Sequence, residues 1–490
     1  MTNNRNTYPE ITIKAIILGI LLSALLAGAN AYLGLFAGMT VSASIPAAVI
    51  SMGILNFFRN SNILENNIVQ TAASAGESLA AGVIFTIPAL VLMGYWTSFD
   101  YVEIAKISAI GGLIGILFTV PLRRALIIQA KLQFPEGIAT AEVLKAGNEA
   151  KSSKSSDSSV GIKTIGFSTL IGGLMKLCQQ GFSMWHSAVD GARSIGGAVF
   201  GIGTELSPAL LSVGYIVGKN IAILVFAGGL ISWVVAIPIY SFIYGFEGEP
   251  MEAAGNIWNT RIRYLGVGAM VTGGIWSLIK LIKPLIEGIK SSLDALKQAK
   301  VGLELNRQER DLPMNYVFIG LIALLLPVFL IYLEVLKSIP LAALLSLVMM
   351  IFGFLFSAVA SHMAGVVGSS NNPVSGVTIA TILFTSLLLL AFLGTGSGIG
   401  AASSILVGAV VCCAAAIGGD NMQDLKTGYI VGATPWKQQV MQVVGVLSSA
   451  LVLGIVLDIL HTAYTIGSPT LSAPQATLMK SVADGVFNGN

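Results

Sequence analysis

The sequence predicts an all-α, polytopic integral membrane protein of about thirteen transmembrane helices, with re-entrant or broken segments between them. Three observations carry this. The chain is 54% hydrophobic and only 10% charged, with a mean hydropathy of +0.82, whereas a water-soluble chain carries charge on about a quarter of its residues. At 490 residues it is also too long for one ordinary soluble core. Apolar runs long enough to cross a hydrocarbon core of roughly 30 Å recur from end to end. Lipid reconciles all three, because a helix surrounded by hydrocarbon needs no polar face. The 55 glycines fit as well, since small residues let membrane helices pack backbone to backbone.

The first run, Ile13–Phe36, continues through Asn30–Gly38 without a small-residue cleavage site and is followed directly by more spans, so it reads as a retained helix. Thr40–Phe58, Leu79–Trp96, Ile104–Leu122, Ile162–Leu177, Gly196–Val217 and Ile221–Tyr240 follow. Ile262–Ile282, Asn315–Leu333, Ile339–Ala360, Val377–Leu393, Ser403–Gly418 and Val440–Leu460 complete the set. Basic residues in short loops orient such a chain. With the N-terminus in the cytoplasm, Arg59, Arg123, Arg124, Lys131, Lys426 and Lys437 fall inside, and the acidic loops Asp100–Glu103 and Glu247–Glu252 fall outside.

The spans form a single membrane domain over residues 1–490, interrupted by two hydrophilic stretches. Residues 147–161 contain KSSKSSDSS, a Ser-rich cytoplasmic linker too polar to pack. Residues 284–312 read as a cytoplasmic amphipathic segment, with Leu293, Leu296, Val301 and Leu305 near one face.

Several function classes drop out. A net charge of +3 gives no reason to expect nucleic acid. Cys178, Cys412 and Cys413 lie in apolar runs without metal-ligand spacing. His186, His362 and His461 are far apart, so no haem or zinc cluster is indicated. There is no GxxxxGK[ST] loop for nucleotide and no TVGYG filter, and GTGSGIG at Gly394–Gly400 reads as a bend. No catalytic residue, metal or cofactor is expected, and the chain is not read as an enzyme.

The informative segments are polar breaks, because irregular backbone at membrane depth persists only where protein or a wet cavity satisfies its amides. In Ala29–Pro46, Asn30, Tyr32, Thr40, Ser42 and Ser44 interrupt an apolar run and Gly34 and Gly38 permit a turn: a cavity lining or a plain hairpin. In Asn67–Gly82, Glu77 sits ahead of an apolar span, either as a protonatable acid inside the membrane or as a first-turn acid at its surface. Phe134–Gly147 (FPEGIATAEVLKAG) has the length of a short re-entrant helix flanked by Glu136 and Glu142, or of a cytoplasmic loop. Ser361–Thr378 holds the break Asn371-Asn372-Pro373, whose amides both donate and accept, or which forms a simple turn. Asp420 and Asp424, one helical turn apart in Gly418–Lys437, are read as decorating a cytoplasmic loop in preference to binding a cation.

At these motifs the chain resembles a bacterial member of the oligopeptide transporter family, which also includes the yellow-stripe-like metal-chelate carriers. The resemblance rests on NAYLGLFAGMTVSASIPAAVIS at Asn30–Ser51, TAASAGESLAAGVIFTIPAL at Thr71–Leu90 and FPEGIATAEVLKAG at Phe134–Gly147. It continues in GTELSPALLSVGYIVG at Gly203–Gly218, SSNNPVSGVTIAT at Ser369–Thr381 and DLKTGYIVGATPWKQQ at Asp424–Gln439. It implies a multi-pass protein of the bacterial cytoplasmic membrane that imports small peptides or peptide-like chelates, a symporter driven by protons through alternating access. It makes Glu77, Glu136 and Glu205 candidates for proton coupling, and Tyr32, Asn371 and Asn372 candidates for substrate contact. The chain reads NNPVSG where the peptide-carrying fungal branch has an NPG-type motif. The resemblance also implies more spans than are counted, so the last helices of the family fold are expected to be missing beyond TLMKSVADGVFNGN.

Overall fold

The structure, a computed structural model, describes residues 9–58, 61–152, 166–186 apart from 169 and 176, 188–206, 219–266 and 306–488 apart from 469, with isolated positions between 211 and 286. Among the described residues, nine helices are long and apolar enough to cross a membrane. The chain divides into two compact units, Met1–Asn148 with Gly274–Asn490, and Glu149–Gly273.

In the first unit, α1 (Ile13–Ala37) starts where the Thr12 side chain accepts from the Ala15 N–H, and stops at Gly38, whose φ of 71° suits glycine. An elbow over residues 38–43 leads into α2 (Ser44–Leu55). With 12 residues, α2 is about 18 Å long and falls short of the membrane span expected over Thr40–Phe58. A capping box between Asn62 and Glu65 opens α3 (Ile63–Ile84), and after a break at Phe85–Thr86 the chain continues as α4 (Ile87–Leu92). The span expected to begin at Leu79 therefore begins sixteen residues earlier, at Ile63. Asn67, Gln70, Thr71 and Ser74 lie inside the helix, fully buried. Helix α5 (Tyr101–Arg123) runs on through a π-helical turn to Gln129, and α6 (Pro135–Ser152) follows. The linker expected over 147–161 thus begins as helix, and residues 153–161 lie outside the described residues.

In the second unit, β1 (Ala188–Ile195) pairs antiparallel with β2 (Ala198–Glu205), in register from Ala188↔Glu205 to Ile195↔Ala198. Gly196 and Gly197 supply the two positive φ angles, 61° and 86°, that a two-residue hairpin turn needs. A transmembrane helix was expected to start at Gly196; the glycine pair and the strand replace its first half. Helix α7 (Lys219–Leu230) continues through a π-helical stretch into α8 (Ile237–Tyr244), and α9 (Pro250–Ile257) follows. Val199, Ile237, Ala254 and Ile257 form this unit's buried cluster.

The amphipathic segment expected over 284–312 lies outside the described residues except at 286 and 306–312. The first unit resumes with α10 (Met314–Leu336), α11 (Ile339–Val367), α12 (Val374–Leu393), α13 (Gly398–Val431), α14 (Pro435–Tyr464) and α15 (Pro474–Asn488). Burial picks out the centre. The apolar windows of the α3–α4 span and of α13 are 89% and 94% buried, against 22% and 28% for the spans of α10 and α11. Glycine sets the closest approaches: a Cβ on Gly82 would stand 2.6 Å from the Cys413 Cα, and one on Gly445 would stand 2.0 Å from the Ala72 carbonyl oxygen. Backbones of α3, α13 and α14 meet there without intervening side chains.

Buried acids tie distant segments of this unit together. Glu10 accepts from the Thr434 N–H at 2.9 Å and hydroxyl at 2.6 Å, and pairs with Lys437 at 3.1 Å and Arg307 at 2.8 Å. Asp311 receives Arg123 through both carboxylate oxygens, at 2.5 and 2.6 Å, and Gln439 at 3.0 Å.

Candidate functional site

Polar side chains on the central helices gather into three linked groups. The first surrounds Glu77, half-way along the stretch Ile63–Leu92 and 2% exposed. Asn30 of α1 donates its amide to one carboxylate oxygen, and the Ala43 N–H donates to the other at 3.1 Å. The Asn30 carbonyl oxygen accepts from the Val41 N–H at 3.1 Å. A single carboxylate thus holds the elbow between α1 and α2 against the middle of α3. The reading of Glu77 as a first-turn surface acid is excluded by this position; the helix starts fourteen residues before it.

The second group surrounds Glu136, in the first turn of α6. It accepts from the Ser369 hydroxyl and from the Ser370 N–H at 3.0 Å, and so organises the turn between α11 and α12. Gly368, with φ 90°, presses on it: a Cβ there would stand 2.7 Å from a Glu136 oxygen. The same stretch is anchored to α13, because the Gly137 N–H donates to Gln423 at 2.8 Å and Gln423 donates to the Ala364 carbonyl at 2.7 Å. The Ser42 N–H reaches the Ser370 hydroxyl at 3.4 Å, which links elbow and turn.

The third group surrounds Asp424. Sequence reading placed Asp420 and Asp424 in a loop; both lie within α13, and Asp424 is fully buried. The apolar run ends at Gly418, but the helix runs on to Val431 because its polar residues face polar residues of α2, α3 and α14. Ser44 donates to Asp424 at 3.0 Å, and Gln70 donates to the same oxygen. The signal in the sequence was the Asp420/Asp424 spacing of one turn beside Gln70 and Ser74, also about one turn apart.

The amide of Asn372 packs on Gly419, one residue from Asp420. The structure therefore brings Glu77, Glu136 and Asn372 to one stretch of α13. The family model described as OPT oligopeptide transporter protein matches residues 10–490. The chain belongs to the OPT oligopeptide transporter family. A provisionally named oligopeptide transporter of Haemophilus influenzae is 38% identical over 485 residues, covering 93% of this chain and 75% of that protein. The metal-nicotianamine transporter YSL3 of Arabidopsis thaliana is 23% identical over 532 residues, covering 96% of this chain and 74% of that protein. This OPT chain is accordingly a multi-pass membrane transporter.

The other predicted residues of this OPT transporter are Tyr32, Asn371 and Glu205. Tyr32 is 43% exposed and stacks on Phe36, with ring centroids 6.0 Å apart. Asn371 is exposed and donates to the Val367 carbonyl at 3.2 Å. Glu205 ends β2 in the second unit, and its side chain lies outside what is described. An apolar cavity of about 460 Å³, lined by Leu117, Phe118, Met314 and Phe354 among others, contains none of these groups.

Proposed function

We propose that this OPT transporter imports small peptides by alternating access, coupled to protons that move in through Glu77. The observation that carries the reading is the position of Glu77: buried, half-way along a membrane span, and holding a backbone N–H of the elbow. A charged carboxylate accepts from both Asn30 and Ala43. Once protonated, one oxygen carries a donor of its own and the neutral group accepts less strongly than the carboxylate. The two elbow contacts are then weakened, and the hold of α3 on the elbow between α1 and α2 loosens. Glu136 is the second proposed coupling acid, holding the α11–α12 turn and joined to the elbow through Ser370 and Ser42. Glu205 is the third.

Cargo contacts are assigned to exposed Tyr32 and Asn371 and to half-buried Asn372. The Asn372 carbonyl oxygen is buried without a hydrogen-bond partner, an acceptor suited to a peptide N–H. The relative in Haemophilus influenzae, an oligopeptide transporter by name, supports peptide as the cargo.

A second reading, transport of a metal chelate on the same fold, is supported by the name of YSL3, matched across 96% of this chain. Uptake of labelled di- to pentapeptides into proteoliposomes, with and without a proton gradient, tests the first reading. Competition by an iron or nickel nicotianamine complex tests the second. Peptide uptake that continues unchanged after the gradient collapses would sink proton coupling.

A further inference from the structure

Around Asp424 the hydrogen-bond inventory does not close. Asn67 donates to the Gln70 carbonyl oxygen at 3.2 Å, and Gln70 donates to Asp424. Gln438 of α14 donates to Thr71 at 3.1 Å and to the Asp424 backbone carbonyl at 2.9 Å. Gln442, one turn further along α14, donates to the Asn421 backbone carbonyl at 3.5 Å. These contacts fix the amides of Asn67, Gln438 and Gln442 with their nitrogens committed as donors, so a flip of any of them breaks a bond.

What remains is a surplus of acceptors. Asn67 Oδ1, Asp424 Oδ2, Gln438 Oε1 and Gln442 Oε1 are buried without partners, and so are both side-chain atoms of Asn421. All five residues are 0–1% exposed. Buried polar atoms nearly always find partners, and an unpaired buried carboxylate oxygen is costly. Five unpaired oxygens against one unpaired nitrogen leave a surplus of acceptors at this network.

We infer that the network of Asn67, Asn421, Asp424, Gln438 and Gln442 binds a hard monovalent cation of the alkali class, held between α3, α13 and α14. The chemistry selects this class. Amide and carboxylate oxygens are hard ligands, and no group of three or more His, Cys, Asp or Glu suited to a metal ion occurs among the described residues. One carboxylate is neutralised by one positive charge, so a monovalent ion leaves the buried site neutral. The site shares no ligand with Glu77, and the inference does not rest on proton coupling there. Gln70 and Asp424 each lie seven residues from a helix end, Ile63 or Val431, which places them about 10 Å in from that end. A cation there joins the start of α3 and α14 to the end of α13.

The test is binding by the purified full-length protein in detergent at fixed pH, with no gradient and no cargo. Thermal midpoints are measured against NaCl and KCl, with choline chloride holding ionic strength constant. A saturable rise in NaCl or KCl that choline does not reproduce is expected. It should vanish in Asp424→Asn and survive in Glu142→Gln, at an exposed acid of α6. Should Asp424→Asn not fold, Asn421→Ala and Gln442→Leu carry the test, each raising the half-saturating salt concentration at least tenfold. Equal shifts in choline chloride, an alkali-dependent shift that persists in Asp424→Asn, or a shift that follows pH and ignores the salt would each overturn the proposal. Because transport is not measured, a failure of proton coupling at Glu77 leaves this result unaffected.

Discussion

Asn30 grips Glu77 with its amide nitrogen and Val41 with its amide oxygen, so one side chain of α1 bridges the elbow backbone and the centre of α3. Asn30→Ala removes both bonds and leaves the buried Glu77 with one donor. A lost hydrogen bond to a charged group costs about 1.5–3 kcal/mol. A lower thermal midpoint and slower uptake are expected together, with Asn30→Gln restoring little because its longer chain misplaces the amide. Unchanged stability and uptake in Asn30→Ala would show that the elbow is held by other means.

Glu77→Gln keeps an acceptor for Ala43 but carries no titratable proton. Peptide uptake should lose its dependence on the proton gradient, while counterflow exchange of cargo, which needs no net proton movement, persists. If uptake by this variant retains its pH dependence, Glu77 is not the coupling acid.

At the turn between α11 and α12, Glu136→Ala strands the Ser369 hydroxyl and the Ser370 N–H, and it opens a hole beside Gly368. Ser369→Ala removes only one of these bonds and should cost about 1 kcal/mol. The ordering Glu136→Ala worse than Ser369→Ala, in both thermal midpoint and uptake rate, is expected; equal effects would show that Glu136 does not organise the turn.

Helix contact through glycine gives a sharper contrast. Gly445→Ala forces a Cβ to 2.0 Å from the Ala72 carbonyl oxygen, whereas a Cβ on Gly53 meets nothing within 4 Å. Overpacking of this kind costs typically 1–3 kcal/mol or more. Gly445→Ala should lower folded yield and thermal midpoint, and Gly53→Ala should leave both unchanged.

The sequence was legible where a helix is apolar along its whole length. Ile13–Phe36, Ile339–Ala360 and Val377–Leu393 lie close to the observed helices because their residues face lipid or apolar neighbours. It misled where a polar helix is buried against other polar helices. Asn67, Gln70, Thr71 and Ser74 look like a loop to any hydropathy window, yet each is fully buried within α3. Asp424 was set aside for the same reason, since its partners Ser44 and Gln70 are 380 and 354 residues away. Glu77 and Glu136 were visible because a lone acid in an apolar setting is conspicuous. What each one holds, an elbow N–H and a serine turn, depends on tertiary contact and has no local signature. The β1–β2 hairpin was missed because its small and apolar residues resemble a membrane span, and only Gly196-Gly197 marked the turn.

The seat of Gly82 on the Cys413 backbone limits how the transporter can move. Advancing α3 by one residue along α13 would bring Ala81 or Val83 to that contact, where no Cβ fits. In the proposed cycle the pair is therefore a stator, barred from sliding in register. Under the proposed alternating access, motion falls to the elbow held by Glu77 and the turn held by Glu136, which would act as rotors around a fixed shaft.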